Sequence, residues 1–184
     1  MKAIYHLCPT IQAMALSVHT LTFNPFQENT YIIIAPSGEC IIIDPGCFDQ
    51  MERDELVQTI NDMGLKPVRL INTHCHIDHI LGNAFVAKTW GLGLEIHKGE
   101  IPVLESGTMV SGMYGVPYEV SPQPSSFLNE GDEVVLDGVS MKVLFTPGHS
   151  PASICLYNAV DNWVIAGDVL FYESIGRTDL PGGD

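Results

Sequence analysis

The sequence predicts an α+β domain in which two β-sheets pack face to face with helices outside them. Three observations support this fold class. Runs rich in β-branched residues come first, a stretch of helical periodicity follows, and further strand-like runs come last. Groups of strands separated by helices suggest this layered arrangement, although the pattern alone leaves a plain α+β domain open. The chain has 184 residues and 46% hydrophobic content, which is enough for one domain with its own core.

The first half of the chain is expected to form the first group of strands and the clearest helix. The predicted strands are 17–23, 30–35, 40–44 and 68–72. Pro36-Ser37-Gly38 is a turn that joins the second of these strands to the third. The predicted helix 51–63 repeats apolar residues every three or four positions, with Asp49 available as its N-cap and Gly64 to end it.

The second half is expected to carry short helices and then the second group of strands. Helices are predicted at 84–90 and 100–106, and residues 107–124 are expected to form a loop because they contain Gly, Ser and Pro. The predicted strands are 133–136, 140–145, 153–157 and 163–166. Asp137-Gly138 predicts a tight hairpin between the first two of these strands.

Four potential metal ligands follow directly on the predicted strand 68–72. They are His74, His76, Asp78 and His79. Neutral imidazole and carboxylate groups are the usual protein ligands of zinc and of non-haem iron. Alternate side chains of an extended chain face the same side, so His74 and His76 can reach one metal ion. Asp78 and His79 lie past the turn, where they can serve a second ion.

Two further predicted strands also end in a potential ligand. His149 follows the strand 140–145 within Thr146-Pro147-Gly148-His149, and Asp168 follows the strand 163–166. Proline restricts one backbone angle and glycine permits a positive one, so this turn can direct His149 back across the strand ends. Alone, a loop histidine or a helix-capping aspartate would be the simpler interpretation. Three strand ends of the same kind instead predict a shared metal site.

These residues carry a resemblance to a known family. The chain resembles the metallo-β-lactamase superfamily, whose His-x-His-x-Asp-His motif is matched by His74, His76, Asp78 and His79. Residues 24–31 (NPFQENTY) and 174–184 (SIGRTDLPGGD) are similar to short, single-domain hydrolases of the glyoxalase II, or hydroxyacylglutathione hydrolase, type. The resemblance covers about residues 16–184. It implies an α/β (α+β) fold, the αββα sandwich of two mixed sheets with helices on the outer faces.

The resemblance also implies two metal sites. The first ion would be held by His74, His76 and His149. The second would be held by Asp78, His79 and a further histidine, with Asp168 bridging the two ions. In the family that histidine lies later in the sequence, whereas no histidine follows His149 here. We therefore expect the domain 16–184 to be truncated at its C-terminus and its second metal ion to bind weakly.

Residues 1–15 are expected to lie outside the domain. They fit a disordered N-terminal extension, or a segment that precedes a true start at Met14. Ala13-Met14-Ala15 is faintly similar to a signal-peptide cleavage site, but His6 and Pro9 interrupt the apolar stretch before it. No apolar run approaches the ~20 residues needed to cross a bilayer, so no membrane association is expected.

Charge and cysteine content narrow the expected partners and location. Eight basic and 22 acidic residues give a formal net charge of −14 without a basic patch, so we expect no binding to nucleic acid. The five cysteines contain no C-x-x-C pair and are odd in number. Such cysteines favour free thiols in a reducing compartment, and a cytoplasmic location is therefore expected.

The expected chemistry is hydrolysis by a metal-bound hydroxide. A divalent metal lowers the pKa of a bound water to about 7, which makes hydroxide available at neutral pH. Asp78 is the candidate catalytic residue, because a short acid inside the histidine cluster can orient the nucleophile or take its proton. No Gly-x-Ser-x-Gly sequence supports a serine nucleophile. Zinc is the expected cofactor, as one or two ions, and iron or manganese would also suit these ligands.

The resemblance narrows the expected substrate to a small-molecule thioester such as S-lactoylglutathione. Glutathione carries two carboxylates, and Arg177 is the candidate to bind them because it lies shortly after Asp168 in a chain with few cations. A salt bridge from Arg177 to an acid such as Asp179 is an equally good interpretation.

Two other functions stay open. A persulfide dioxygenase is similar to glyoxalase II and would use one iron held by His74, His76 and His149, in some cases with Asp168. A truncated remnant would bind metal without turnover. Metal analysis separates the three interpretations. Two zinc-like ions favour the hydrolase, one iron favours the dioxygenase, and substoichiometric metal favours the remnant.

Overall fold

Six strands form the larger of two packed sheets. The computed structural model describes residues 15–184, so the predicted N-terminal extension lies outside the described residues except for Ala15. The strands are β1 (Ser17–Phe23), β2 (Glu28–Ile34), β3 (Glu39–Ile43), β4 (Lys66–Ile71), β5 (Leu94–Ile96) and β6 (Pro124–Phe127). They lie in sequence order, with antiparallel pairing up to β3 and parallel pairing from β3 onward. This sheet is therefore mixed, as predicted.

Four strands form the second sheet. They are β7 (Glu133–Leu136), β8 (Val139–Phe145), β9 (Ile154–Asn158) and β10 (Trp163–Ile165), in the order β10-β9-β8-β7. Every pairing is antiparallel. The expectation that both sheets are mixed is therefore wrong for this one. The reason is that short turns connect its strands. Asp137 and Gly138, with φ angles of +49° and +78°, form the predicted hairpin turn, and a turn of this length can join only antiparallel strands. A separate hairpin, β11 (Leu170–Phe171) with β12 (Ser174–Ile175), follows.

Four helices pack on one face of the larger sheet. They are α1 (Gln50–Asp62), α2 (Ile77–Ile80), α3 (Asn83–Trp90) and α4 (Ile101–Tyr114). Each contributes side chains to a buried cluster shared with the strands, in which Leu56 of α1 and Ile80 of α2 join Ile42 of β3 and Leu70 of β4. Burial of such side chains is the main term that stabilises the layer, at about 1.5–3 kcal/mol for each fully buried Leu or Ile.

A second buried cluster lies between the two sheets. Ile41 and Ile43 of β3 enter it beside Val143 of β8 and Leu156 of β9. Ile42 of the same strand points to the helices instead, which explains why β3 reads as an uninterrupted apolar run. The two packed sheets with helices on the outside of the larger one confirm the predicted fold class.

The outer face of the second sheet is uncovered within residues 15–184. Val135, Tyr157 and Val164 lie on that face and are 49%, 37% and 42% exposed. Their exposed side chains show that no helix of the described range packs over them. The predicted helical layer is thus present on one outer face of the described sandwich.

The helix α4 differs from the prediction. Residues 107–124 were expected to form a loop, but α4 continues to Tyr114 and ends at Gly115, whose φ is +67°. Tertiary packing overrides the low helix propensity of Gly107, because a side chain there would collide with the ring of Tyr118. The predicted cap of α1 is confirmed, since the Asp49 carboxylate accepts a hydrogen bond from the backbone N–H of Glu52 at 2.9 Å.

Several short elements were not predicted from the sequence. They are β5, β6, α2, β11 and β12. All five have four residues or fewer, which is too short for a periodic pattern to be recognised.

Candidate metal centre

Three imidazoles meet where the turns after β4 and β8 approach one another. One nitrogen atom from each of His74, His76 and His149 lies within 4.8 Å of the other two. Nδ1 of His76 is 2.9 Å from Nε2 of His149, and the ring centroids of His74 and His149 are 5.0 Å apart. The structure therefore brings together the three residues predicted to hold the first ion.

A second group of candidate ligands adjoins the first. It consists of Asp78, His79 and Asp168. Nε2 of His79 lies 3.3 Å from an oxygen atom of Asp168 and 3.5 Å from one of Asp78. The other oxygen atom of Asp168 is 3.5 Å from Nε2 of His149. Asp168 thus lies between the two groups, as a bridging ligand would, and the role of these six residues as metal ligands stays a prediction.

Hydrogen bonds orient two imidazoles of the first group. Nδ1 of His149 lies 2.8 Å from the backbone carbonyl of Arg177, to which it donates, so that Nε2 is left to accept. Nδ1 of His74 lies 3.2 Å from the Thr73 hydroxyl, which itself donates to Asp44 at 2.6 Å and can accept from the imidazole. Nε2 of His74 is buried and has no hydrogen-bond partner among the described residues. A buried nitrogen atom of this kind needs a partner, and a metal ion fits that need.

Asp44 is a residue of the site that the sequence interpretation missed. Its carboxylate is fully buried and accepts a hydrogen bond from the backbone N–H of Thr73 at 2.7 Å. The same carboxylate lies 3.1 Å from Nδ1 of His79, so the opposite nitrogen of that ring faces Asp168. Asp44 was interpreted as a strand end before Pro45-Gly46, and its φ of +49° is the structural sign of a constrained position.

Residues 24–31, which connect β1 to β2 and begin β2, also contact the site. The Asn24 side chain donates hydrogen bonds to the backbone carbonyls of Gly46 and Asp78, at 3.1 and 3.0 Å. Glu28 is buried, lies 3.9 Å from Nδ1 of His79, and accepts a hydrogen bond from Thr30. Burial raises the pKa of Glu28 well above its usual range.

Glu100 connects the two turns that carry the first group of candidate ligands, namely the turn after β4 and the turn after β8. It is fully buried and accepts hydrogen bonds from the backbone N–H of Cys75 at 2.9 Å, from the Ser150 hydroxyl at 2.8 Å and from the backbone N–H of Ala152 at 2.8 Å. Cys75 separates His74 from His76, and Ser150 follows His149. One carboxylate therefore holds both turns of the first group, although the sequence indicated only the start of a helix at this position.

The pKa values of the candidate histidine ligands are shifted in opposite directions in the two groups. Burial, followed by the charges of neighbouring histidines, lowers the pKa of His74 well below its usual value. Burial and His149 lower the pKa of His76 to about 4. Burial alone would also lower the pKa of His79, but Asp168 and Asp44 raise it well above the usual value. His74 and His76 are consequently neutral at physiological pH, which is the state in which an imidazole binds a metal ion.

A cavity of about 780 Å³ opens on this cluster. His76, His149, Asp78 and Asp168 line one end of it, and α4 forms a wall. Arg177 also lines the cavity, but its guanidinium makes two hydrogen bonds to the Asp179 carboxylate, at 2.6 and 2.7 Å. The structure thus places Arg177 near the site and in the salt bridge that the sequence left as its alternative role.

The described residues show two other features that bear on the predictions. Cys40, Cys47, Cys75 and Cys155 are all free and buried. No helix between residues 15 and 184 combines the length and apolar character that a bilayer crossing requires.

Comparison with known proteins gives consistent similarities. A family model described as Metallo-beta-lactamase superfamily matches residues 23–184. The chain is 39% identical over 163 residues to a Bacillus subtilis protein named "Probable metallo-hydrolase YqgX", covering 87% of this chain and 74% of that protein. It is 31% identical over 175 residues to "Hydroxyacylglutathione hydrolase GloC" of Haemophilus influenzae, covering 92% of this chain and 79% of that protein.

Two solved structures are similar over most of the chain. One is the crystal structure of the BLEG-1 B3 metallo-beta-lactamase, with a TM-score of 0.82 and 30% identity over 91% of this chain and 79% of that chain. The other is TTHA1623 in a di-iron-bound form, with a TM-score of 0.79 and 34% identity over 91% of this chain and 80% of that chain.

Proposed function

This chain belongs to the metallo-β-lactamase superfamily, and we propose that it is a metal-dependent hydrolase that cleaves thioesters. The observation that carries the proposal is Nε2 of His74, which is buried without a hydrogen-bond partner beside His76 and His149. This nitrogen, together with imidazoles that burial keeps neutral, suits a divalent cation. The cavity opens on His76 and His149, so a substrate has direct access to these two residues.

We propose zinc as the cofactor, as one or two ions, with iron or manganese as alternatives. His74, His76 and His149 would hold the first ion, and Asp78, His79 and Asp168 would contribute to a second. A divalent metal held there lowers the pKa of a water ligand and polarises a carbonyl oxygen. The imidazole ligands suit both zinc and iron, and the similar structure TTHA1623 is described in a di-iron form.

The chain's own residues provide orientation and proton transfer. Asp78 lines the cavity, and burial raises the pKa of its carboxyl group, which brings that group closer to the range useful for general base catalysis. We assign it to orient the attacking water and accept its proton. In the overall reaction a C–O bond forms, the thioester C–S bond breaks, and the proton ends on the sulfur of the released thiol.

Thioester substrates are supported by the similarity to GloC, whose name describes a hydroxyacylglutathione hydrolase. S-lactoylglutathione is therefore the first substrate to test. We propose that Arg177 binds a carboxylate of glutathione by exchanging its present partner Asp179 for the substrate. The free cysteines fit a reducing compartment, and we propose a cytoplasmic location on that ground.

The test is thiol release from S-lactoylglutathione by the protein reconstituted with zinc. We expect turnover that chelation abolishes and that zinc restores. A chromogenic β-lactam serves as the comparison substrate, since one similar structure is a β-lactamase. Metal-replete protein that releases no thiol from any thioester would contradict the proposal, and metal binding without turnover would identify the remnant.

A persulfide dioxygenase is the second candidate. The observation that favours it is the complete group of three histidines in the described residues, which is sufficient for a single iron. We expect this function to give one iron per chain and oxygen uptake with glutathione persulfide. Thioesterase activity without oxygen uptake would exclude it.

A further inference from the structure

The cavity beside the metal centre has a polar end and an apolar wall. The polar end is lined by the candidate ligands, among them His76 and Asp168. The wall is the face of α4 that borders the cavity, where apolar residues recur at the three- and four-residue spacing of one helical face. The residues of this wall with large apolar side chains are Val103, Met109, Val110, Met113 and Tyr114.

Apolar residues outside α4 also line the cavity. They include Leu180, Pro181 and Phe26, and Phe26 packs edge to face against Tyr114 with ring centroids 5.2 Å apart. A volume of about 780 Å³ is much more than a lactoyl group needs and falls in the range of drug-sized ligands. The dimensions therefore suit a ligand with a bulky substituent.

The charges at the cavity disfavour an anionic ligand. Arg177 is the one Lys or Arg side chain lining the cavity among the described residues, and Asp179 occupies its guanidinium through two hydrogen bonds. Asp78 and Asp168 lie at the polar end, and the chain carries a formal net charge of −14. Apart from the proposed metal ions, a ligand with two carboxylates, such as a glutathione thioester, finds no unpaired Lys or Arg side chain among the described residues that line the cavity.

We propose that the preferred substrate is a thioester whose acyl group is bulky and apolar and whose thiol half carries no carboxylate. This inference rests on the proposed function and specifies its substrate class. The acyl chain lies against α4 while the thioester carbonyl reaches the polar end. Met109 and Met113 border the opening, at 66% and 77% exposure, and flexible thioether side chains adapt to acyl groups of different shapes.

The first experiment varies the two halves of the substrate separately. The acyl series is acetyl, butanoyl and hexanoyl on N-acetylcysteamine, an uncharged thiol, and hexanoyl is then compared on N-acetylcysteamine and on glutathione. Full burial of one methylene group is expected to raise kcat/KM about four-fold. We expect kcat/KM to rise at least about ten-fold from acetyl to hexanoyl, and the glutathione conjugate to be no better than the uncharged one.

A binding measurement tests the cavity without turnover. The probes are the S-ethyl and S-hexyl thioethers of N-acetylcysteamine, which have no carbonyl group to hydrolyse. Calorimetry of the metal-loaded protein is expected to give at least about ten-fold tighter binding of the hexyl probe. Equal affinities for the two probes would overturn the inference.

A matched pair of variants locates the effect on α4. Met113→Glu puts a charge at the cavity opening, whereas Met51→Glu makes the same change on α1, outside the cavity, at a residue of similar exposure (74%). We expect Met113→Glu to reduce the hexanoyl-to-acetyl ratio of kcat/KM at least about three-fold and Met51→Glu to leave it unchanged. An unchanged ratio in both variants would overturn the inference.

The outcomes separate this inference from the proposed function. Preference for S-lactoylglutathione over every apolar thioester would uphold the thioesterase and overturn the substrate class. Tight binding of the hexyl probe without hydrolysis of any thioester would contradict the thioesterase while upholding the apolar ligand preference of the cavity.

Discussion

The two groups of candidate ligands form two halves of the metal centre, and these halves differ in the pKa values of their histidines. The first half is His74, His76 and His149, and the second is Asp78, His79 and Asp168. In the first half, burial lowers the pKa values of His74 and His76, so these imidazoles carry no proton to be displaced at neutral pH. In the second half, His79 lies among carboxylates that raise its pKa, and its proton already compensates part of their negative charge. A cation therefore meets the neutral imidazoles of His74 and His76 in one half and replaces the proton of His79 in the other.

This difference indicates that the two halves have different tasks. The first half has its ligands oriented by hydrogen bonds, from His149 to the Arg177 carbonyl and between His74 and Thr73, which favours permanent occupancy by a metal. The second half contains Asp78, which also lines the cavity and is the proposed proton acceptor. Binding strength is expected to be concentrated in the first half, and proton transfer in the second.

The largest expected effect comes from breaking the first half. His76→Ala removes one of three imidazoles, and we expect at least ~100-fold weaker zinc binding together with loss of turnover, because losses of outer partners alone cost ~10–100-fold. Zinc titration with a competing chelator measures the affinity. His19→Ala on β1 is the control, since His19 lies outside the cluster, and wild-type affinity in His76→Ala would disprove the assignment.

The next effect comes from Asp78, which is both the proposed proton acceptor and a candidate ligand of the second ion. Asp78→Asn keeps the side-chain shape but removes the proton acceptor, and we expect kcat to fall ~10²–10⁴-fold while one zinc ion stays tightly bound. Asp54→Asn, an exposed change on α1, is the matched control. Retention of kcat with loss of the tightly bound ion would reverse the roles given to the two halves.

The candidate ligands could be predicted from the sequence because they are grouped in the chain. His74, His76, Asp78 and His79 share one turn, and His149 and Asp168 follow strands that the pattern also indicates. The supporting residues could not be predicted in this way. Asp44 is 29 residues from Thr73, and Glu100 is 50 residues from Ser150, so their partners are set by the packing of distant elements.

The extent of α4 and the apolar wall were missed for a related reason. Gly107 lies inside the helix, and on local propensity it indicates a loop. Its lack of a side chain instead makes room for the ring of Tyr118, a contact that the sequence does not show. The cavity depends on this helix, so the sequence predicted the candidate metal ligands without the surface that we propose to select the substrate.

A smaller effect is expected at Glu100, which supports the first half without being a candidate ligand. Glu100→Gln replaces an acceptor of hydrogen bonds from Cys75, Ser150 and Ala152 with an amide that satisfies fewer of them. We expect the free energy of unfolding to fall by about 1–3 kcal/mol and zinc affinity to fall about ten-fold. Denaturant unfolding and zinc titration measure the two quantities.

The matched control for this change is Glu105→Gln, on the exposed side of α4. A stability loss in Glu100→Gln with unchanged zinc affinity would show that Glu100 supports the fold alone. In that case the orientation of the ligand turns would depend on the bonds of His149 and His74 instead.

The smallest expected effect is the order in which the two metal ions leave as the pH falls. This measurement compares the two halves within one protein. Protons compete with metal ions for histidine, and the competition begins at a higher pH where the pKa is higher. His79 has a raised pKa, whereas that of His76 is about 4, so a protein loaded with two zinc ions is expected to lose the ion of the second half first. Metal content measured after dialysis at stepwise lower pH should fall from two ions to one, and then to none only in more acidic buffer. Simultaneous release of both ions would mean that the two halves bind as one unit, and their difference in proton affinity would then have no separate consequence for metal binding.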